Sequence, residues 1–122
     1  MSQLSIHIED DRKAFLPGEF IRGAVRWQCP DYPKTAALRL FWYTQGRGTE
    51  DILLIDEVAF DNPTPSAEES FEFKLPVGPY SFSGSLISLI WAMELEVGRD
   101  CIRTEFTLSP TGKEILLQAA KQ

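Results

Sequence analysis

The sequence predicts an all-β fold, an antiparallel sandwich of about seven strands, and three observations carry that prediction. Apolar residues alternate with polar ones in one run after another, the period of two that sets one face of a strand on a core and the other in water. Clusters of proline, glycine and acidic residues punctuate the runs at short intervals, as turns between strands do. No alternation of strands with helical segments separates them, so nothing in the pattern asks for a parallel sheet.

Leu4, Ile6 and Ile8 share one parity and Ser5, His7 and Glu9 the other, which gives a short first strand before the polar turn Asp10–Lys13. In "FLPGEFIRGAVRWQC", Pro17-Gly18 makes a tight turn, after which Ile21, Val25 and Trp27 oppose Arg22 and Arg26. Pro30 and Pro33 break the chain ahead of "TAALRLFWYTQ", where Leu38, Leu40 and Trp42 point inward and Arg39, Phe41 and Tyr43 outward. Gly46-Arg47-Gly48 is a hairpin loop, since a phosphate-binding loop needs a lysine and a helix amino terminus after its glycines and neither follows. In "DILLIDEVAF", Leu53 and Ile55 join Val58 and Phe60 on one face only if a residue is extra, which predicts a bulge near Asp56-Glu57. "DNPTPSAEES" reads as a loop, and "FEFKLP" as a strand with Phe71, Phe73 and Leu75 inward.

Pro76, Gly78, Pro79, Ser81, Ser83 and Gly84 forbid regular pairing and predict a corner loop, in which Gly84 is expected to hold a positive φ. Ile87, Leu89, Trp91, Met93, Leu95 and Val97 then keep one parity. At ~3.4 Å per residue that strand is about 40 Å long and suits the middle of a sandwich. Its other face reads Ser88, Ile90, Ala92, Glu94 and Glu96; Gly98 and Arg99-Asp100 turn the chain into a last strand bearing Ile102, Phe106 and Leu108. The sandwich therefore occupies residues 1–108. The tail 109–122, "SPTGKEILLQAAKQ", is expected to form a short helix capped by Ser109 or Thr111, which must dock or fray because isolated helices of that length fail.

A chain of 122 residues fits one domain, large enough to bury about two thirds of its unfolded surface. With 43% hydrophobic residues it has the apolar area to fold alone. A net charge of -6 without any cluster of Lys and Arg disfavours nucleic acid. No run reaches the roughly 20 apolar residues of a membrane-spanning helix, and "MSQLSIHIEDD" lacks the basic start and apolar middle of a secretion signal, so a cytoplasmic setting is expected. Cys29 and Cys101 are too few for a disulfide framework and are expected to be reduced and mostly buried.

Three segments resemble the amino-terminal domain of the arrestin-like family: "FLPGEFIRGAVRW" with its Pro17-Gly18-Glu19 turn, "LRLFWYTQGRGTED", and "FEFKLPVGPYSFSGSLISLIWAMELEV" with Pro79, Ser81, Phe82 and Gly84 ahead of the Trp91 strand. Together they span most of residues 4–108. The resemblance implies an immunoglobulin-like or arrestin-like sandwich serving as an adaptor or scaffold, without catalytic machinery or cofactor, binding other proteins through sheet edges, loops and exposed faces. Edge strands also offer a route to homo-oligomers. Arrestins proper carry two such sandwiches and this chain has length for one, so the interdomain cleft and the receptor-phosphate sensor do not carry over.

Catalytic and metal-binding patterns are sparse. His7, the only histidine, lies on the outward parity with no nucleophile placed beside it by a recognisable motif. One histidine and two cysteines 72 residues apart do not make a tetrahedral zinc set. Glu94 and Glu96 share an exposed strand face, where carboxylates are ordinarily solvated. Glu9-Asp10-Asp11 could converge with Asp61-Asn62 at one end of a sandwich, which defines an alternative function, a calcium- or small-ligand-binding module working through its end loops. Phe41 and Tyr43 are more informative. The inner face is already filled by Leu38, Leu40 and Trp42, so these two rings are covered either by the tail around Ile115–Ala120 or a neighbouring loop, or by a partner.

Overall fold

The computed structural model describes residues 2–48 and 50–117. Seven long strands form two layers: β1 (Gln3–Ile8), β3 (Phe20–Gln28), β4 (Ala36–Gly46), β5 (Ile52–Ala59), β6 (Ser66–Lys74), β8 (Ile87–Val97) and β9 (Asp100–Leu108). Three short ones, β2 (Ala14–Phe15), β7 (Phe82–Gly84) and β10 (Ile115–Leu117), complete the sheets. The smaller sheet runs β1-β3-β6; the larger runs β10-β7-β8-β4-β5, with β9 beside β8 and β2 beside β9. All pairings are antiparallel except β2–β9 and β10–β7.

The inward residues of the alternating runs fill the space between the layers. Ile21, Val25 and Trp27 from β3, Phe71 and Phe73 from β6, Leu38 and Leu40 from β4, and Leu89, Trp91, Met93 and Leu95 from β8 form one buried cluster, with Trp42 partly buried against it. Trp27 meets Phe60 at 5.6 Å between ring centroids, and Phe106 lies 5.6 Å from Phe15 and 6.0 Å from Trp91. Offset and edge contacts at these separations add to the area that the rings bury.

Two punctuating motifs lock the layers. At the first, the Glu19 N–H donates to the Leu16 carbonyl across Pro17 and Gly18, whose φ of 82° supplies the left-handed step that the turn requires. The Glu19 carboxylate accepts the Leu16 N–H at 2.7 Å and Arg12 Nη2 at 2.8 Å, and Arg12 holds its carboxyl below the usual range. The same turn receives the Leu75 N–H on the Glu19 carbonyl, which fixes the end of the "FEFKLP" strand. At the second motif, Trp91 Nε1 donates to the Pro79 carbonyl at 2.7 Å, and Ser81 is bonded twice to Leu108, through its N–H and through Oγ. Pro17, Gly18, Glu19, Pro79, Ser81 and Trp91 therefore serve the architecture directly.

Several expectations are corrected. The chain pairs again at Phe82–Gly84, where Phe82 faces Leu89, so the corner covers 76–81. Gly84 is extended within β7 rather than at a positive φ. Strand β6 starts at Ser66, because an edge strand tolerates the polar stretch Ser66–Ser70 on its solvent side while Ala67 keeps the core parity. The bulge expected near Asp56-Glu57 is present, with Ile55 as the extra residue: Leu40 pairs with Asp56 and Phe41 with Leu54. The tail forms strand over Ile115–Leu117, since β7 offers an open edge to a segment too short to hold a helix; residues 118–122 of the expected helix lie outside the described residues. Cys29 is half-buried, and Cys101 is exposed on the outer side of β9.

Close approach of β1 to β3 makes Gly23 a sensitive position. A Cβ there would lie 2.0 Å from the His7 carbonyl oxygen and 3.0 Å from the Phe71 ring. Gly23→Ala is expected to lower the melting temperature far more than an exposed substitution, as read by thermal denaturation. Ser81→Ala strands the buried Leu108 N–H and is expected to cost about 1–3 kcal/mol in chemical denaturation.

Candidate functional site

Directly paired residues of an antiparallel ladder point to the same side, so the register lays out the outer face of the large sheet in rows. Across β9, β8, β4 and β5 one row reads Arg103, Glu94, Arg39, Glu57, and the next reads Glu105, Ala92, Phe41, Leu54. A third, across β8, β4 and β5, reads Ile90, Tyr43, Ile52. Charge is thus gathered in one row and apolar surface in its neighbours.

The charged row is internally matched. Arg39 donates Nε to Glu57 at 2.6 Å and Nη1 to Glu96 at 3.0 Å, and Arg103 donates Nη2 to Glu94 at 3.2 Å. The bond to Glu96, opposed by burial and reinforced by Glu57, raises the Arg39 pKa. Glu94 and Glu96 are therefore ion-pair partners of Arg103 and Arg39. Pairs this exposed stabilise by less than about 1 kcal/mol each; their stronger effect is to set the orientation of Arg103.

Phe41 and Tyr43 point outward, as their parity requires. β10 follows the β7 edge, and residues 118–120 of the segment expected over the rings lie outside the described residues. The Arg103 guanidinium instead lies 4.9 Å from the Phe41 centroid and 5.0 Å from that of Tyr43, and the two rings sit 6.1 Å apart. Under this cover Phe41 is only 4% exposed. Tyr43 is half-buried and donates its hydroxyl to Glu105 at 2.7 Å. The solvent-facing apolar surface lies one strand further on, at Ile52 (66% exposed), Leu53 (50%) and Leu54 (54%). The sequence carried a signal for them, since three adjacent apolar residues of one strand cannot all turn inward.

The remaining sequence candidates do not assemble. His7 lies 3.5 Å from Asp11 with both side chains largely exposed, and among the described residues no three His, Cys, Asp or Glu side chains are grouped to hold a metal. Glu9–Asp11 follows Ile8, which pairs with Gly23, whereas the loop of Asp61 and Asn62 returns at the other end of β3, where Trp27 and Cys29 donate to Thr64 and Pro65. Five residues of extended chain, about 17 Å, separate the two ends. The convergence expected for a calcium site is absent.

No family model and no curated protein matches this chain. In fold it is similar to the sporulation control protein Spo0M of Bacillus subtilis: the TM-score is 0.62 at 15% identity, covering 88% of this chain and 49% of that one. This chain thus spans about half the length of that neighbour. Looser overlaps occur with the alkylpurine DNA glycosylase AlkC of Pseudomonas fluorescens (TM-score 0.46, 11% identity, 88% of this chain and 30% of that one) and the superoxide reductase of Ignicoccus hospitalis (0.39, 15%, 88% and 80%). Neither carries weight for function. The architecture is an all-β sandwich of two mostly antiparallel sheets, and among the described residues no helix is long and apolar enough to cross a membrane.

Burial, reinforced by the hydrogen bond to Glu105, raises the Tyr43 pKa. A phenol that loses its proton less readily when folded contributes stability that is complete below its unfolded pKa and lost as pH rises through the higher folded one. Tyr43→Phe is expected to lower stability at neutral pH through the lost bond to Glu105 and to flatten the alkaline limb of a stability-versus-pH curve; a limb of unaltered steepness would assign it to other groups.

Proposed function

We propose that this chain is a non-enzymatic protein-interaction module of the arrestin-like kind, an adaptor or scaffold whose contact surface is the apolar part of the outer face of the large sheet. The observation that carries the reading is the continuity of that surface. Phe41 and Tyr43 pass in register into Ile52 and Leu54 on an edge strand, and both of those are more than half exposed. Apolar surface of this kind, bounded by a charged row, is characteristic of protein contact faces. The resemblance read from the sequence supports the same class, and two free thiols with no disulfide suit a cytoplasmic setting.

Within this face Phe41 and Tyr43 form the floor, held by Arg103 and Glu105, and Ile52 and Leu54 form the contact. Affinity capture from the native cell separates the two roles. Ile52→Ser with Leu54→Ser is expected to lose the recovered partner at unchanged melting temperature. Phe41→Ser with Tyr43→Ser is expected to lose about 3 kcal/mol or more of stability, because Phe41 is buried. Retention of the partner by a well-folded Ile52, Leu54 variant would remove the basis for the reading.

A further inference from the structure

Strand β5 hydrogen-bonds to β4 and to no other described strand, so its far side is an open sheet edge. The Thr44 N–H donates to the Asp51 carbonyl at 2.8 Å, and the Asp51 N–H donates to Thr44 Oγ1 at 2.9 Å. Pointing of backbone groups alternates along an antiparallel ladder. Asp51 therefore faces β4, and Ile52 and Leu54 turn their N–H and C=O groups away from it. These are the residues whose apolar side chains stand on the outer face.

The charges along this strand have one sign. Residues 50–61 hold five carboxylates and no cation, and the guanidinium of Arg39 on the neighbouring strand is already bound to Glu57 and Glu96, which leaves Arg47 of the hairpin loop as the cation beside the Glu50 end. A second copy of this chain is disfavoured by charge: two such edges bring ten carboxylates together between molecules that each carry a net charge of -6, and a two-fold antiparallel pair centred on Leu53 also sets Glu50 opposite Asp56 at both ends. Like charges directly opposed destabilise a strand pair.

We propose that the β5 edge accepts an extended segment of another protein, with alternating apolar residues at its centre and Lys or Arg at both ends, as an added antiparallel strand. Its backbone meets the N–H and C=O groups of Ile52 and Leu54, and its apolar side chains cover those two on the outer face. Its cations lie against Glu50 and Asp51 at one end and Asp56 at the other. Main-chain bonds supply affinity in this mode, and flanking side chains supply selectivity. The proposal rests on the interaction-module reading and specifies its partner.

Synthetic peptides test it on the intact chain: KKVTVTVKK, the acid-flanked EEVTVTVEE, and KKVTVTVKK N-methylated at the amides that would face β5. In amide-detected NMR titration the first is expected to shift the Ile52 and Leu54 signals and slow their hydrogen exchange. The other two should bind on the order of tenfold more weakly or not at all, and Asp56→Lys should weaken the first about fivefold at low salt. Equal affinity for the acid-flanked or N-methylated peptide overturns the proposal. So do shifts on β1 or β6 alone, no shift with any peptide, or concentration-dependent self-association at neutral pH in sedimentation. Each of those leaves the module reading standing as long as the Ile52, Leu54 variant still loses its cellular partner; retention of that partner overturns both.

Discussion

The corner between β6 and β8 is the constraint on which the rest of the structure depends. Trp91 is the largest side chain wholly withdrawn from water on the central strand, and its indole N–H would be an unpartnered buried donor without the Pro79 carbonyl. Such a donor costs about 1–3 kcal/mol when left unsatisfied. The proline- and glycine-rich loop supplies that acceptor, and two residues later Ser81 grips Leu108, the last residue of β9. One short segment therefore fixes the depth of β8 and the end of β9 together. The rows of the outer face follow from it, because β4 reads its register from β8 and β5 reads its own from β4.

Much of this was legible in the sequence. Where alternation was clean, as in Leu4 to Ile8, Leu38 to Tyr43, Phe71 to Leu75 and Leu89 to Val97, the inward set was read correctly, since each residue's side is decided locally by the pleat, whereas Ile87 at the start of its strand is exposed. Edges and short pairings were harder. Ser66–Ser70 looks like a loop because its polarity is that of solvent, and only the presence of β3 beside it makes it a strand. Phe82–Gly84 and Ile115–Leu117 form strands because of what lies next to them, which no window of sequence contains. The tail carried the composition of a short helix, and a free edge at β7 drew its start into the sheet.

The outer face shows the same division. Parity alone placed Phe41 and Tyr43 outside the core, and parity could not say that Arg103, 60 residues further along, would lie over both rings. Their cover is an ionic lid held by Glu94, so the hydrophobic character of that face is displaced to the neighbouring strand. The shift depends on the bulge. The extra residue at Ile55 lets Val58 and Ile55 both pack on the core while Leu54 stays on the outer side next to Phe41. Without it, the apolar half of β5 would change sides relative to the other half.

Open edges invite unwanted pairing, and the edges of this sandwich manage that hazard differently. Along β6 two outward carboxylates, Glu68 and Glu72, are tied to Arg26 and Arg22 on β3, so an approaching strand meets matched ions in the middle of this edge. On β5 the carboxylates stand at the ends and leave Ile52–Leu54 bare between them. Charges that only guard the ends repel a strand with acidic ends, which includes another copy of this edge, and attract one with basic ends. Protection against self-association and preference for a partner of opposite charge thus come from the same few side chains, and a substitution that alters one must alter the other.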